Sequence, residues 1–441
     1  MYLPPYIVSC IQALEQEGYA AWAVGGCVRD ALLGLEPHDY DLCTSATPER
    51  IKAIFSHHRL VLSGEKHGTV GVITDGGVVE ITTFRTEGAY LDNRHPEQVA
   101  FVATVEEDLA RRDFTVNAMA YNPERGLADP FGGRQDLQDR VLRCVGEPAM
   151  RFQEDSLRIL RGVRFAVRFR LKPQAQTLAA MESQAPLMEN LARERVFEEL
   201  CKLLPLLTAE DLRTYRVILA QVIPELAPTI GFDQHSKHHA YDLYTHIAHV
   251  TAAVPPQLAL RWAALLHDVG KIATFSLDED GNGHFYGHAK ASSQMAEEIL
   301  RRLKAPNALR QEVVQLIEQH MTRIEPEEKT VHRWLSRLGE ERMESLILLQ
   351  EADMGSKGTG KSEESAQFPQ LRALIQQIRA DNACLSLRDL AVDGRDMLAL
   401  GLSGPDIGRT LEQLLELVLE GQVPNETEAL LHAAAVLSSK R

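Results

Sequence analysis

The glycine pair Gly25-Gly26, set between an apolar run at 19–24 and the segment Cys27-Val28-Arg29-Asp30, constrains the fold of this chain more than any other feature. Glycine turns sharply without a side-chain penalty, so the run predicts a buried strand at 19–24, a tight turn and a short helix over 28–33. Asp39-Tyr40-Asp41 follows and opens a second predicted strand, 40–43. Carboxylates two positions apart on a strand project from one face, which can hold magnesium. A glycine turn, an arginine and paired aspartates could grip a nucleoside triphosphate and activate an attacking hydroxyl by a two-metal route. The chemistry implied is nucleotidyl transfer.

At 441 residues the chain exceeds a single core and should form about three or four domains. Its 44% hydrophobic and 25% charged residues fit soluble globular domains, and no apolar run is long enough to span a bilayer. Residues 1–18 lack a basic region and a cleavage site, so a cytoplasmic location is expected. The six cysteines are far apart with no paired spacing, which argues against a zinc module or a disulfide framework. A net charge of −15 is unusual for a nucleic-acid enzyme, yet 143–172 carries eight Lys or Arg against three acidic residues. Nucleic-acid contact is expected to concentrate there.

Further strands are predicted at 69–74 and 78–84, flanking Asp75-Gly76-Gly77, and at 98–104. This mixed α/β head runs to about residue 140. Beyond Gly146-Glu147-Pro148 the apolar spacing is helical almost to the end. Residues 355–362, rich in glycine, serine and lysine, read as a flexible linker before a C-terminal helical domain.

Two further segments bear on the transfer chemistry. Arg111-Arg112-Asp113-Phe114-Thr115-Val116-Asn117 puts two basic groups before a polar helix start, a triphosphate clamp in outline. In Glu154-Asp155-Ser156-Leu157-Arg158-Ile159-Leu160-Arg161-Gly162-Val163-Arg164-Phe165, a helix places Asp155 one turn from Arg158 and continues the stripe through Arg161 and Arg164. Asp155 and Arg158 could then read a base edge while the later arginines hold phosphates. Cytosine and adenine offer an exocyclic amine donor beside a ring-nitrogen acceptor, which an Asp–Arg pair complements; uracil and guanine present the reverse.

Together, in this order and spacing, these segments resemble the class II (bacterial) CCA-adding tRNA nucleotidyltransferases, a branch of the polymerase β-like superfamily. The resemblance implies an α/β head with a mixed sheet, followed by all-α neck, body and tail: 1–140 head, 141–230 neck, 231–356 body, 366–441 tail. It implies that Asp39 and Asp41 are catalytic and hold Mg2+, that Gly26, Arg29 and Arg112 contact triphosphate and sugar, and that Asp155, Arg158, Arg161 and Arg164 form the nucleotide-reading helix. Glu80 is a candidate for the third carboxylate seen elsewhere in the superfamily, and the sequence leaves that position open. The partners implied are tRNA, CTP and ATP. A helix opened by Ser403-Gly404-Pro405-Asp406 is expected to meet RNA in the tail.

Between about 233 and 356 a second pattern intervenes: His246, then Leu266-His267-Asp268-Val269-Gly270-Lys271, then His288, His320 and Asp353. Adjacent His and Asp on a helical run, with a distant His and Asp, can converge on one divalent ion, and His288 and His320 could complete a second metal position. The pattern resembles the HD-domain metal-dependent phosphohydrolases. That resemblance implies a divalent transition metal (Ni, Mn, Co or Fe) and a phosphatase or 2′,3′-cyclic phosphodiesterase activity. Rival readings are an A-adding or CC-adding specialist, a poly(A) polymerase, and a phosphohydrolase whose transferase head is inactive. The segment 85–108 retains a loop that CC-only enzymes lack, and the terminal basic extensions usual in poly(A) polymerases are missing.

Overall fold

Four apolar residues, all buried, make Ala21–Val24 (β1) an interior strand of the first sheet. The computed structural model describes residues 1–87, 99–236, 240–358, 366–381 and 383–439, in two units, Met1–Ala227 and Pro228–Arg441.

In the first unit β1 pairs antiparallel with Asp41–Thr44 (β2), which pairs in parallel with Gly77–Thr83. Adding Arg59–Val61 (β3), Thr69–Thr74 (β4), Gly77–Thr83 (β5), Ala120–Asn122 (β6) and Gly126–Ala128 (β7), the mixed sheet has the order β3-β4-β5-β2-β1-β6-β7. Trp22, Val24, Cys43, Phe84 and Leu109 form a core beneath it. Gly25, at φ 77°, ends β1, and Gly26–Leu32 (α1) begins at once, so the glycine turn opens the helix two residues earlier than 28–33. The hairpin at 74–77 forms as expected. The strand expected over 98–104 is only Val99–Phe101, paired with Arg85–Glu87. Residues 88–98, which contain most of the loop expected within 85–108, lie outside the described residues, as do 359–362 of the expected linker.

Three local expectations need correction. Asp39 lies just before β2 and not within a strand, because the ladder to β1 ends at the Val24–Asp41 pair. The segment after Arg112 forms a single 3-10 turn, Thr115–Asn117, and no α-helix. Asp155 is not on the arginine helix. Pro148–Glu154 (α2) ends at Asp155, whose backbone is extended (φ −144°, ψ 102°), and Leu157–Phe169 (α3) restarts after Ser156. The asparagine-like habit of aspartate, bonding its own backbone two residues on, explains the break: Asp155 Oδ1 accepts from Leu157 N at 3.1 Å.

Among the described residues, the regular structure of the second unit is helical apart from one short hairpin. Leu243–Ala253 (α4), Leu258–Leu266 (α5), Lys271–Thr274 (α6), His288–Arg302 (α7), Asn307–Gln319 (α8) and Glu340–Gly355 (α9) surround a buried polar cluster. His267 and Asp268 sit in the turn between α5 and α6, not on a helical run. Further on, the expected helix start at Gly404-Pro405 is real: Pro405–Leu419 is a helix, with Leu414 in a small core with Met397 and Leu430.

Close backbone approach beneath the first unit's site gives a test of this packing. A Cβ on Gly133 would stand 2.1 Å from the Thr115 carbonyl oxygen, a backbone atom that cannot step aside. Gly133→Ala should cost about 1–3 kcal/mol of stability, read as a lowered midpoint in urea denaturation. An unchanged midpoint would show that the turn at 115–117 is not held by this contact.

Candidate active site and metal centre

Asp39, Asp41, Gly26, Arg29, Arg112, Asp155, Arg158, Arg161 and Arg164 all line one cleft of the first unit, with a volume of about 590 Å³. The cleft also contains Gly25, Arg111, Asp113, Asn117, Phe165 and Arg195. Asp39 and Asp41 are exposed at its edge. Glu80 is the register partner of Asp41 on the adjoining parallel strand, so the two share a face. Although the residue is open to solvent at the edge, the protein packed around its carboxyl first, then the charges of Glu80 and Asp39, hold Asp41 above its ordinary range, against the pull of Arg112. Such crowding of like charge favours a cation.

Gly25 is required where Arg112 approaches. Its φ is positive, and a Cβ there would lie 2.7 Å from Arg112 Nη1. Arg112 is steered from behind by the buried Asp108, 3.4 Å from its Nη2, and the same carboxylate accepts from Arg111 Nε at 3.0 Å. Arg29 donates to Asp30 Oδ1 at 2.8 Å and to Asn117 Oδ1 at 2.6 Å, with Phe169 under its guanidinium at 4.2 Å. Asn117 donates in turn to Asp113 Oδ1 at 3.0 Å, and Asp113 Oδ2 accepts from Arg161 Nε at 2.9 Å. Burial alone would raise Asp113, but Arg161 and the Asn117 bond outweigh it and hold its carboxyl at about 2.

The arginine stripe on α3 is real, with Arg158, Arg161 and Arg164 spaced three apart, but it is no solvated basic face. Arg158 and Arg164 are buried. Arg158 Nη1 donates to Glu154 Oε2 at 2.5 Å and Nη2 to the Arg111 carbonyl at 3.1 Å. Arg164 Nε meets Glu199 Oε1 at 2.5 Å. Asp155 is paired with Arg195 Nη2 at 2.8 Å. Arg195 and Glu199 both belong to Arg193–Leu203 (α10), a helix the sequence reading passed over. The charge alternation in Arg193-Glu194-Arg195 and Glu198-Glu199 was the available signal, but it reads equally well as a solvated helix face.

In the second unit His246, His267, Asp268 and Asp353 bring donor atoms within 4.8 Å of one another, and Asp268, His288 and His320 form a second such group. All are buried. His246 Nε2 is 3.0 Å from Asp353 Oδ1, His267 Nε2 3.2 Å from Asp268 Oδ2, and His288 Nε2 3.4 Å from Asp268 Oδ1. The Nδ1 atoms of His267, His288 and His320 face the carbonyls of Ala264, Phe285 and Ile317 at 2.8, 2.8 and 2.6 Å. A ring whose Nδ1 donates to a carbonyl keeps its proton there and turns a lone pair on Nε2 inward. The Nε2 atoms of these three histidines are buried without hydrogen-bond partners among the described residues. Burial would lower His267, but Asp268 and Asp353 outweigh it and lift it to about 10, so a cation binding at this Nε2 has to displace a proton; burial and the charge of His267 push His320 down to about 4. Lys271 Nζ lies 2.8 Å from Asp268 Oδ2 and donates to Gln234 Oε1 at 3.1 Å. Gln234 was not foreseen.

The fold and the cleft define a nucleotidyltransferase with a helical extension, and the comparisons agree. Residues 21–143 match the family model "Poly A polymerase head domain", 170–229 match "Probable RNA and SrmB-binding site of polymerase A", and 284–434 match tRNA nucleotidyltransferase domain 2. The CCA-adding enzyme of Levilactobacillus brevis is 36% identical over 430 residues, covering 96% of this chain and 95% of its own. That of Streptococcus mutans is 33% identical over 440 residues, covering 98% and 97%. The solved Bacillus stearothermophilus CCA-adding enzyme in complex with CTP superposes with a TM-score of 0.73 at 30% identity, over 100% of this chain and 99% of that one. The chain belongs to the CCA-adding enzyme family.

The Asp155–Arg195 pair predicts coupled behaviour. If Arg195 orients the carboxylate, Arg195→Met and Asp155→Ala should each lower selectivity for CTP over UTP by roughly tenfold, and the double variant should be no worse than Asp155→Ala alone. Additive losses in single-turnover incorporation assays would mean that the two side chains act independently.

Proposed function

We propose that this chain adds C, C and A to the 3′ end of tRNA from CTP and ATP, in the cleft between the β1–α1 turn and α3. One observation carries the proposal: both edge aspartates, the glycine turn and the arginines named above line a single cavity, in a chain colinear with CCA-adding enzymes over almost its whole length. Asp39 and Asp41, crowded by Glu80, suit a magnesium site. Magnesium bound there would activate the tRNA 3′ hydroxyl and neutralise the triphosphate. The Gly25-Gly26 backbone lets phosphate come close, and Arg29, Arg112 and Arg161 supply cations already oriented by carboxylates. Asp155 and Arg158 present an acceptor beside a donor, the complement of cytosine and adenine. Each is braced from behind, Asp155 by Arg195 and Leu157 N, Arg158 by Glu154 and two carbonyls, so neither has to be ordered by the incoming base.

The test is incubation with magnesium and a tRNA lacking its 3′ end, supplying CTP alone, ATP alone or both, with products resolved at single-nucleotide resolution. Two C additions with CTP alone and completion only with both are expected. Stopping after CC, or adding only A to a CC end, would favour a partial-addition specialist. Asp39→Asn with Asp41→Asn should abolish addition with the fold intact, because amides cannot supply the charge that holds magnesium. Near wild-type addition by that double variant would remove the pair from the mechanism.

A second activity is favoured by the buried imidazoles of the second unit. His246, His267, Asp268 and Asp353 would hold one divalent metal, with Asp268 shared by His288 and His320 at a second. The inward Nε2 atoms of His267, His288 and His320 and the shared carboxylate suit a borderline ion such as manganese, nickel, cobalt or iron. Metal bound there would polarise a phosphoryl oxygen and lower the pKa of a water, which fits hydrolysis of phosphate monoesters or 2′,3′-cyclic phosphates. Manganese at a hundredfold over its Kd should stabilise the protein by about 2.7 kcal/mol against chelator-treated protein, and His267→Ala with Asp268→Ala should lose that increment and the hydrolysis while retaining CCA addition. Equal thermal midpoints with manganese and with chelator would exclude the metal centre.

A further inference from the structure

The segment that delivers His288 to the metal cluster carries an exposed tyrosine on a half-buried histidine, a pair that neither proposed reaction uses. Ser276–Leu277 and Gly283–His284 form a two-stranded hairpin, with Ser276 opposite His284. After it the chain alternates. Phe285 turns inward: its ring lies under Lys271 Nζ at 5.3 Å and 5.5 Å from Phe275, and its carbonyl accepts from His288 Nδ1. The residues on either side turn outward. Tyr286 is 79% exposed, and its ring lies parallel to that of His284, 5.3 Å away and tilted by only 5°.

An exposed tyrosine usually samples several rotamers, but here the partner ring is fixed. His284 Nε2 is 2.9 Å from Asp278 Oδ2, and Asp278 is itself held by the backbone N–H groups of Asp280 and Asn282. The hairpin is anchored too. Gly283 N donates to the His235 carbonyl at 2.8 Å, and a Cβ on Gly283 would meet the Gln234 carbonyl at 2.2 Å, so this strand is pressed against the residue whose side chain bonds Lys271. Two Cα steps, at most about 7.6 Å, separate Tyr286 from His288. A flat, sequence-tolerant surface beside a phosphate-directed centre is what a nucleobase stacks on.

We propose that Tyr286, stacked on His284, is a specificity-determining residue of the second site: a platform on which the base of a nucleoside phosphate stacks. This rests on the metal-centre reading above. Every nucleobase has a π-face, so the platform would accept purines and pyrimidines alike, with purines favoured by overlap.

The experiment uses the full-length, manganese-loaded protein and two monoesters, 3′-AMP and glycerol 2-phosphate. Tyr286→Ala should lower the ratio of kcat/KM for 3′-AMP over that for glycerol 2-phosphate by about tenfold, and Tyr286→Phe should restore it, because stacking needs the ring and not the hydroxyl. Binding is read separately by equilibrium dialysis of adenosine 3′-phosphorothioate in an Arg112→Ala background, which weakens the first unit's cleft in parent and variant alike. The parent should bind about tenfold more tightly than Tyr286→Ala. Equal Kd values, or no saturable binding to the parent, would overturn the platform. A Kd difference without hydrolysis of either ester by the parent would retain the platform and overturn only the hydrolase reading.

Discussion

A pocket for a triphosphate must gather guanidinium groups, and gathered cations repel one another until the ligand arrives. The first unit meets this constraint by giving its buried arginines carboxylate partners from neighbouring elements. Asp30, Asn117, Asp113 and Arg161 form one continuous line from Arg29 across the cleft floor. Asp108, Glu154 and Glu199 serve Arg112, Arg158 and Arg164. Asp113 shows the size of the effect. Its carboxyl is held at about 2 against an ordinary 3.8, a depression worth about 2 kcal/mol. Because the folded pKa is the lower one, that stabilisation is complete above the ordinary carboxylate range and is lost as pH falls from about 4 to 2. The surplus of acid in the overall composition is therefore compatible with polyanion binding, since some of it sits behind the arginines that face the cleft.

The second unit solves the inverse problem. Four imidazoles and two carboxylates converge out of contact with bulk water, with the Lys271 ammonium on one of the carboxylates. Fixing Nδ1 on backbone carbonyls in three of the rings leaves Nε2 as the only inward nitrogen, so the rings cannot satisfy each other by hydrogen bonding. Divalent cations would satisfy the two donor groups together, whereas a proton serves only one nitrogen–carboxylate pair at a time.

Much of this was legible in the sequence because the relevant signals are local. The Gly25 turn, the two aspartates and the His267-Asp268 pair announce themselves within a few residues, and the cleft residues named from the sequence do share one cavity. Misreadings arose where tertiary partners override helical spacing. Asp155 and Arg158 sit three apart, which suggests a helical pair, but Asp155 caps its own backbone, breaks the helix and reaches α10 instead. Arg195, Glu199 and Gln234 were missed for the same reason: each acts across a separation that no periodicity records.

The break at Asp155 has a chemical consequence. On a continuous helix, Asp155 and Arg158 would form an intrahelical ion pair, and each would occupy the other's hydrogen-bonding edge. With Asp155 extended and bound to Arg195, and Arg158 turned onto Glu154, the acceptor and the donor are neutralised by groups outside the pair. On the proposed reading, a base entering the cleft would meet two charged groups that are each bonded elsewhere, so it would not have to break a salt bridge between them before it could be read. Selection by unsatisfied buried polar groups works only under that condition, because a wrong base must lose more than the site recovers by closing on itself.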